Sequence, residues 1–112
     1  MVINLTELPL MNWSDAQILA AKNLTRDGLI RAYELPTILP QDFTVNVYNV
    51  AWDTEQNIMH QFGMDNIDAI IVQGEPVFIY TFVNACKGEL KKIQYYSPCY
   101  DNNGNFVRFR RF

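Results

Sequence analysis

The feature that most constrains the fold of this 112-residue chain is the stretch 69–83, AIIVQGEPVFIYTFV, in which two apolar runs flank Gly74 and Glu75. A glycine at the first central position of a two-residue loop suits a type II′ hairpin turn. Such a turn would pair the two runs so that both sides of the ribbon are apolar, which is typical of strands near the middle of a sheet. The stretch therefore predicts a central hairpin with strands at 68–73 and 76–84.

Other segments predict further strands of the same sheet. Phe43–Val50 alternates apolar and polar residues, as a half-buried strand does. Turn signals at Lys87-Gly88 and Asn103-Gly104 would bound strands at about 90–98 and 105–111. Asn-Gly is the strongest of these signals, because it fits both positive-φ positions of a type I′ turn. The C-terminal half is therefore predicted to be a meander of hairpins.

Helices are predicted mainly before this sheet. Ser14 can cap the free N–H groups of a helix, Asp15 complements the helix dipole, and apolar residues follow at helical spacing. The pattern breaks at Gly28, resumes, and ends before Pro36. Two helices within Ser14–Leu35 are therefore expected to cover one face of the sheet.

Length and composition favour one domain. A chain of 112 residues can bury a core without disulfides or metals, and 49% apolar against 19% charged residues excludes global disorder. We therefore expect a single α+β domain over 1–112, with an antiparallel sheet of four to five strands packed on one face by N-terminal helices.

A short helix over Thr54–Phe62 is predicted to shield only one end of the second face. The apolar part of that second face could pair with the same surface on a second copy of the chain, so both a monomer and a homodimer stay open. This apolar part comprises Ile70, Val72, Val77 and Ile79.

Charge is distributed unevenly along the chain. Residues 1–83 carry ten acidic and three basic residues, a net charge of −7, whereas residues 84–112 carry six basic and two acidic residues, a net charge of +4. An acidic surface steers a protein towards a basic partner. We therefore predict a non-enzymatic protein-interaction domain, an adaptor or inhibitor that docks on a basic protein, of the type found in phages and mobile elements. The candidate acidic contacts are Asp15, Asp27, Glu34, Asp53 and Glu55.

The alternative function is binding of single-stranded nucleic acid through the C-terminal hairpin. Phe106-Val107-x-Phe109 resembles the end of the RNP1 consensus of RNA-recognition motifs over those few residues, without its leading basic residue or second glycine. Aromatic rings can stack on bases, and arginines can contact phosphates. The candidate residues are Lys92, Tyr96, Tyr100, Phe106, Arg108, Phe109, Arg110 and Arg111.

Residues typical of catalysis are sparse. His60 with Asp65 and Asp68 would be a loosely spaced metal set, and no pattern around Cys86 supports a nucleophile. We therefore predict no enzyme, cofactor or metal. Two cysteines and the lack of a long apolar run predict reduced thiols in the cytoplasm and no membrane partner.

Overall fold

A computed structural model describes residues 1–87 and 92–112, and five strands in this part of the chain form one mixed sheet with helices on both faces. The strands are β1 (Val2–Leu5), β2 (Ile30–Ala32), β3 (Ala69–Val72), β4 (Gln94–Tyr100) and β5 (Phe106–Arg111). The helices are α1 (Asp15–Lys22), α2 (Thr44–Phe62) and α3 (Pro76–Lys87), with short 3₁₀ turns at Leu10–Asn12 and Met64–Asn66. Along the described residues, every helix is too short or too polar to cross a lipid bilayer.

The strand order is β2-β1-β3-β4-β5, and only β4 and β5 are antiparallel. The predicted antiparallel sheet is therefore wrong: β2, β1, β3 and β4 run parallel to one another. All residues of β1 and β3 are buried, which requires cover on both faces. Parallel strands are usually found in this environment, because the helices that connect them lie on the faces of the sheet.

The predicted central hairpin is a strand followed by a helix. The segment 76–84 belongs to α3, in which Phe78 and Phe82 are buried whereas Tyr80 is 71% exposed. This burial at a spacing of four is helical. Pro76 favours the helix because the first residue of a helix has no intrahelical acceptor for its N–H, and proline has no N–H.

The predicted strand Phe43–Val50 is also wrong, because Thr44 begins the 19-residue helix α2. The alternation around Val45 and Val47 imitates a strand, but burial within the helix falls on Val47, Ala51 and Ile58, at helical spacing. The short helix predicted over Thr54–Phe62 is the second half of α2: its end is confirmed, with Gly63 directly after it at φ 80°, but the helix begins at Thr44 rather than Thr54.

Local signals in the rest of the chain gave mixed results. The Ser14 cap is confirmed, since its hydroxyl oxygen accepts the N–H of Gln17 at 3.2 Å. The second predicted helix is wrong, because β2 occupies its place beside β1. The hairpin at Asn103-Gly104 is confirmed, but only the glycine has positive φ, so the turn is not type I′. The predicted turn at Lys87-Gly88 lies outside the described residues.

The core has two layers. On one face, α1 packs with Val2 and Ile71, whereas α2 and α3 cover the other face with Ile70 and Val72 beneath them. Helices thus cover both faces rather than one, because β1, β3 and their apolar neighbours need cover on each side. Ile70 and Val72 are fully buried, and Val77 and Ile79 lie on α3, so the strand patch that could have paired with a second copy does not exist as one sheet surface.

An ionic cluster ties the start of β1 to the loop before β2 and the residue before β3. Asp68 accepts hydrogen bonds from Nε of Arg26 at 2.6 Å, from the backbone N–H of Arg26 at 3.1 Å and from the amino group of Met1 at 3.0 Å. Burial raises the pKa of Asp68, but these hydrogen bonds outweigh it and hold the pKa below its usual value.

Replacing Phe82 with Ala should lower the free energy of unfolding by about 3–5 kcal/mol, because the ring is fully buried between α3 and the sheet. Tyr80→Ala, on the exposed side of the same helix, should change it by no more than about 0.5 kcal/mol. Urea unfolding measures both. A loss below about 1 kcal/mol for Phe82→Ala would contradict the packing of α3.

Asp68→Asn should destabilise the protein at pH 7 by about 1 kcal/mol or more, because hydrogen bonds to a charged group are lost. Because the pKa of Asp68 is lower in the folded protein than in the unfolded chain, its ionised carboxylate stabilises the fold above the unfolded-state pKa of about 3.9. This stabilisation is lost as the pH falls through the folded-state pKa. The difference between variant and wild type should therefore shrink below about pH 4. Urea unfolding from pH 7 to 2 tests this, with Asp53→Asn on the outer side of α2 as the control; a constant difference would count against it.

Candidate functional site

A crevice lies where the strand order reverses. From β1 the chain moves to its neighbour β2 at the edge of the sheet, and from β2 it returns past β1 to β3. The first connection, through α1, covers one face of the sheet, and the second, through α2, covers the opposite face. In open parallel sheets, ligands bind outside the carboxyl ends of the strands at this reversal. A cavity of about 610 Å³ opens here, and we call it the edge cavity. Its walls come from the end of β1 and the following loop, from residues 32–38, and from Glu75.

Buried polar side chains hold the wall that follows β1. The carbonyl of Leu8 accepts hydrogen bonds from Nδ2 of Asn4 at 3.1 Å and from the indole N–H of Trp13 at 3.1 Å. The hydroxyl of Thr6 lies 2.7 Å from Oδ1 of Asn4. Because these groups satisfy one another inside the protein, the loop that carries Glu7 has a fixed course along the cavity.

The second wall is the segment that leaves β2. The N–H of Tyr33 donates to the carbonyl of Asn4 at 3.1 Å and continues the pairing with β1. Leu35 then packs against the turn after β3, where a Cβ on Gly74 would lie 2.9 Å from Cδ2 of Leu35. A larger residue at Gly74 would have to displace Leu35, so this glycine permits the close approach of the two walls.

Glu75 forms the third wall and caps α3. Its carboxylate accepts the N–H of Val77 at 3.1 Å and the N–H of Phe78 at 2.8 Å. Pro76 has no N–H, so the carboxylate occupies the amides at the start of the helix. A helix N-terminus facing such a crevice is the usual place for a phosphate. Here a carboxylate of the chain itself fills that place.

The edge cavity is electrically negative. Among the described residues, its charged lining residues are Glu7, Glu34 and Glu75, and none of these lining residues is a lysine or arginine. Residues 32–86 contain no lysine or arginine, and two of their seven acidic residues, Glu34 and Glu75, line this cavity. Carboxylates without basic neighbours attract cations and repel phosphates. The cavity therefore suits a cationic group with an apolar stem.

Beside this cavity, α2 and α3 expose large apolar side chains, which we call the apolar patch. Tyr48 and Trp52 lie on one side of α2 at a helical spacing of four, and Val77 and Tyr80 lie on α3 at a spacing of three. Both helices return from the carboxyl edge of the sheet, so their first turns lie at the same end. The patch consists of Phe43, Val45, Tyr48, Trp52, Val77 and Tyr80, each 38–74% exposed.

A smaller cavity of about 230 Å³ connects these two features. It shares Ile38 and Glu75 with the edge cavity, and Val77 of the apolar patch lines it. Thr44 at the start of α2 lies on the same cavity wall. Through Val77, the apolar patch therefore adjoins the edge cavity at the carboxyl edge of the sheet.

The structure places Phe109 and two of the arginines of the C-terminal hairpin on opposite faces of β5. Phe109 packs against Trp13 with ring centroids 6.0 Å apart, and the hydroxyl of Tyr100 accepts a hydrogen bond from Gln17 at 3.0 Å. Because side chains alternate along a strand, Arg108 and Arg110 project to the face opposite Phe109. The aromatic residues Tyr96, Tyr100, Phe106 and Phe109 are half-buried, and the basic residues Lys92, Arg108, Arg110 and Arg111 are exposed.

The five acidic residues singled out from the sequence lie on different parts of the surface or in the core. Asp15 is exposed in the first turn of α1, and Asp53 is exposed on α2 on the opposite face of the sheet. Asp27 lies at the amino edge, where its carboxylate accepts the N–H of Leu29. Glu34 lines the edge cavity, whereas Glu55 is only 2% exposed.

The residues considered for metal binding have other surroundings. His60 is exposed in the last turn of α2, and Asp68 is bound by Arg26. Within the described part of the chain, no three His, Cys, Asp or Glu side chains come together as metal ligands would. The carboxyl edge presents carboxylates and apolar side chains.

Comparisons with protein-family models, curated protein sequences and solved structures gave no match. The chemical character of the carboxyl edge is therefore the guide to function. That character combines a negative cavity with an adjoining exposed apolar surface.

Most residues of this surface were missed by sequence reasoning. Interpreting 43–50 and 76–84 as strands assigned Val45, Tyr48 and Tyr80 to a sheet. Two signals favoured helices: the three- to four-residue spacing of Val45, Tyr48 and Trp52, and Pro76 directly after a possible capping residue. No local signal indicated that Asn4 and Glu7 would meet residues 32–38.

Glu75→Ala should lower the free energy of unfolding by about 0.5–2 kcal/mol, because two amide groups of α3 lose their acceptor. Glu75→Gln keeps one acceptor oxygen and should lose less. Freed amides also favour anions, so sulfate should raise the melting temperature of Glu75→Ala more than that of the wild type. Thermal melts with matched sodium chloride controls test this; equal responses of all three proteins would show that the carboxylate does not cap the helix.

Proposed function

We propose that this protein is a non-enzymatic protein-interaction domain that binds a basic partner through the apolar patch on α2 and α3. The observation that carries the proposal is the exposure of six large apolar side chains on two adjacent helices. Large exposed apolar patches on soluble proteins typically mark interaction sites. The patch includes Trp52 and two tyrosines, and tryptophan and tyrosine are enriched among residues that dominate binding energy at interfaces.

The charge around the patch supports a basic partner. Asp42 precedes α2, Asp53 lies on its exposed side, and Glu75 lies beside Val77 at the start of α3. Residues 32–86 carry no lysine or arginine to offset these carboxylates. A basic partner would therefore associate faster and in a preferred orientation, because complementary charge steers the encounter. The partner surface would combine lysine or arginine with aromatic or large aliphatic side chains.

An adaptor or inhibitor needs no catalytic group, which suits the chemistry of this surface. A cytoplasmic location is part of the proposal and rests on the sequence, which has two cysteines in 112 residues and no long apolar run. Single-stranded nucleic acid is a weaker candidate. The acidic residues of 32–86 repel phosphate, and the hairpin rings pack beside Trp13 and Gln17.

A displayed library of random peptides provides a defined test, because the composition of the selected peptides identifies the preferred chemistry. We expect selected peptides to combine lysine or arginine with aromatic or large aliphatic residues. Tyr80→Ala and Trp52→Ala should each weaken their binding about tenfold, as truncation of an interface residue that dominates the binding energy does. Val107→Ala is the matched control, since Val107 is exposed on β5 outside the patch.

Two results would overturn the proposal. One is that the selected peptides lack basic residues or bind Tyr80→Ala and Trp52→Ala as tightly as the wild type. The other is binding of a fluorescent single-stranded oligonucleotide that weakens with salt and is lost when Arg108, Arg110 and Arg111 are changed together to Gln.

A further inference from the structure

We propose that the edge cavity receives the side chain of a lysine or arginine from the partner segment that covers the apolar patch. This inference rests on the proposed function and adds the residue type that is recognised and the place where it is bound. The patch supplies apolar contact area, whereas the cavity supplies charge selectivity.

The cavity matches the two-part character of a long basic side chain. Its volume is about 610 Å³, and Tyr33, Leu35 and Ile38 give it an apolar wall continuous with the core. Lysine and arginine bury their aliphatic stems along apolar surfaces while the charged head stays near water. The exposed carboxylates of Glu7 and Glu34 stand at the solvent side, where such a head would lie.

The same geometry disfavours an anionic occupant. An anion at this edge of a parallel sheet would use the first amides of α3, but the carboxylate of Glu75 already accepts from Val77 and Phe78. In the part of the chain that the structure describes, no lysine or arginine lines the cavity to compensate a second negative charge. A phosphate would therefore have to displace Glu75 and lie near Glu7 and Glu34 as well.

One partner segment can occupy both features because they adjoin. Ile38 and Glu75 line the edge cavity and also the smaller cavity, whose wall includes Val77 of the apolar patch. A basic residue in the edge cavity would therefore place its neighbours over the first turn of α3. Basic and apolar residues should then recur at a fixed spacing in peptides that bind.

The cavity is also preorganised for binding. Asn4, Thr6 and Trp13 hold the loop after β1 through buried or half-buried hydrogen bonds. In the adjoining smaller cavity, the N–H of Leu39 donates to the Asp42 carboxylate at 2.8 Å. A site whose walls are already ordered loses little conformational entropy when a side chain enters.

The test uses N-acetyl-arginine amide, N-acetyl-lysine amide and the uncharged isostere N-acetyl-citrulline amide, titrated into the full chain and followed by amide NMR shifts. We expect saturable shifts at Thr6, Glu34 and Glu75 with arginine or lysine and none with citrulline. Glu7→Gln and Glu34→Gln should each weaken binding about threefold, the scale of one solvent-exposed ion pair. Asp65→Asn, at the opposite edge of the sheet, is the control and should bind as the wild type does.

Equal binding of citrulline and arginine, or unchanged affinity in both glutamine variants, would overturn the inference. So would inorganic phosphate shifting the same amides with higher affinity than arginine. The two proposals fail separately. If selected peptides need Tyr80 but ignore Glu7 and Glu34, only the cavity assignment fails. If Tyr80→Ala leaves peptide binding intact, the proposed function fails whatever arginine amide does.

Discussion

The structure depends on the burial of β1 and β3 on both faces. Every side chain of these two strands is buried, so each face of the sheet needs a cover of its own. A short chain meets this requirement by sending α1 over one face and α2 and α3 over the other. Right-handed crossovers then force the strand order to reverse between β1 and β3. The edge cavity is the opening left by this reversal, so core packing and the candidate site have one cause.

Glu75 gives this common crevice an unusual charge. Parallel sheets of this type usually present free helix amides at their carboxyl edge, and those amides favour negatively charged ligands. Here the residue before Pro76 brings a carboxylate onto the amides of Val77 and Phe78. Glu7 and Glu34 add negative charge from two other segments. The fold thus determines where binding is expected, whereas three side chains determine which charge is favoured.

Local chemistry could be predicted from the sequence, but the pairing of distant segments could not. The cap at Ser14, the helix end at Gly63 and the hairpin around Gly104 each depend on neighbouring residues, and each is present. Strand direction depends on β1 meeting residues 30–32 and 69–72, for which the sequence carries no local signal. The aromatic and β-branched residues of 76–84 suit either a strand or a buried helix. Of the cavity carboxylates, only Glu34 was among the predicted contacts, because the walls come from three distant segments.

The position of β1 has a consequence for how the chain reaches its native state. Along the chain, β1 precedes the other strands of this sheet, yet it lies in the interior, with Val2 paired to Ile30 on one side and to Ala69 on the other. The four residues of β1, all of them buried, therefore lack their second neighbouring strand until β3 joins the sheet. Pairing over such sequence distances is slow compared with helix formation. The interior of the sheet is thus enclosed only after segments far apart in the sequence have met.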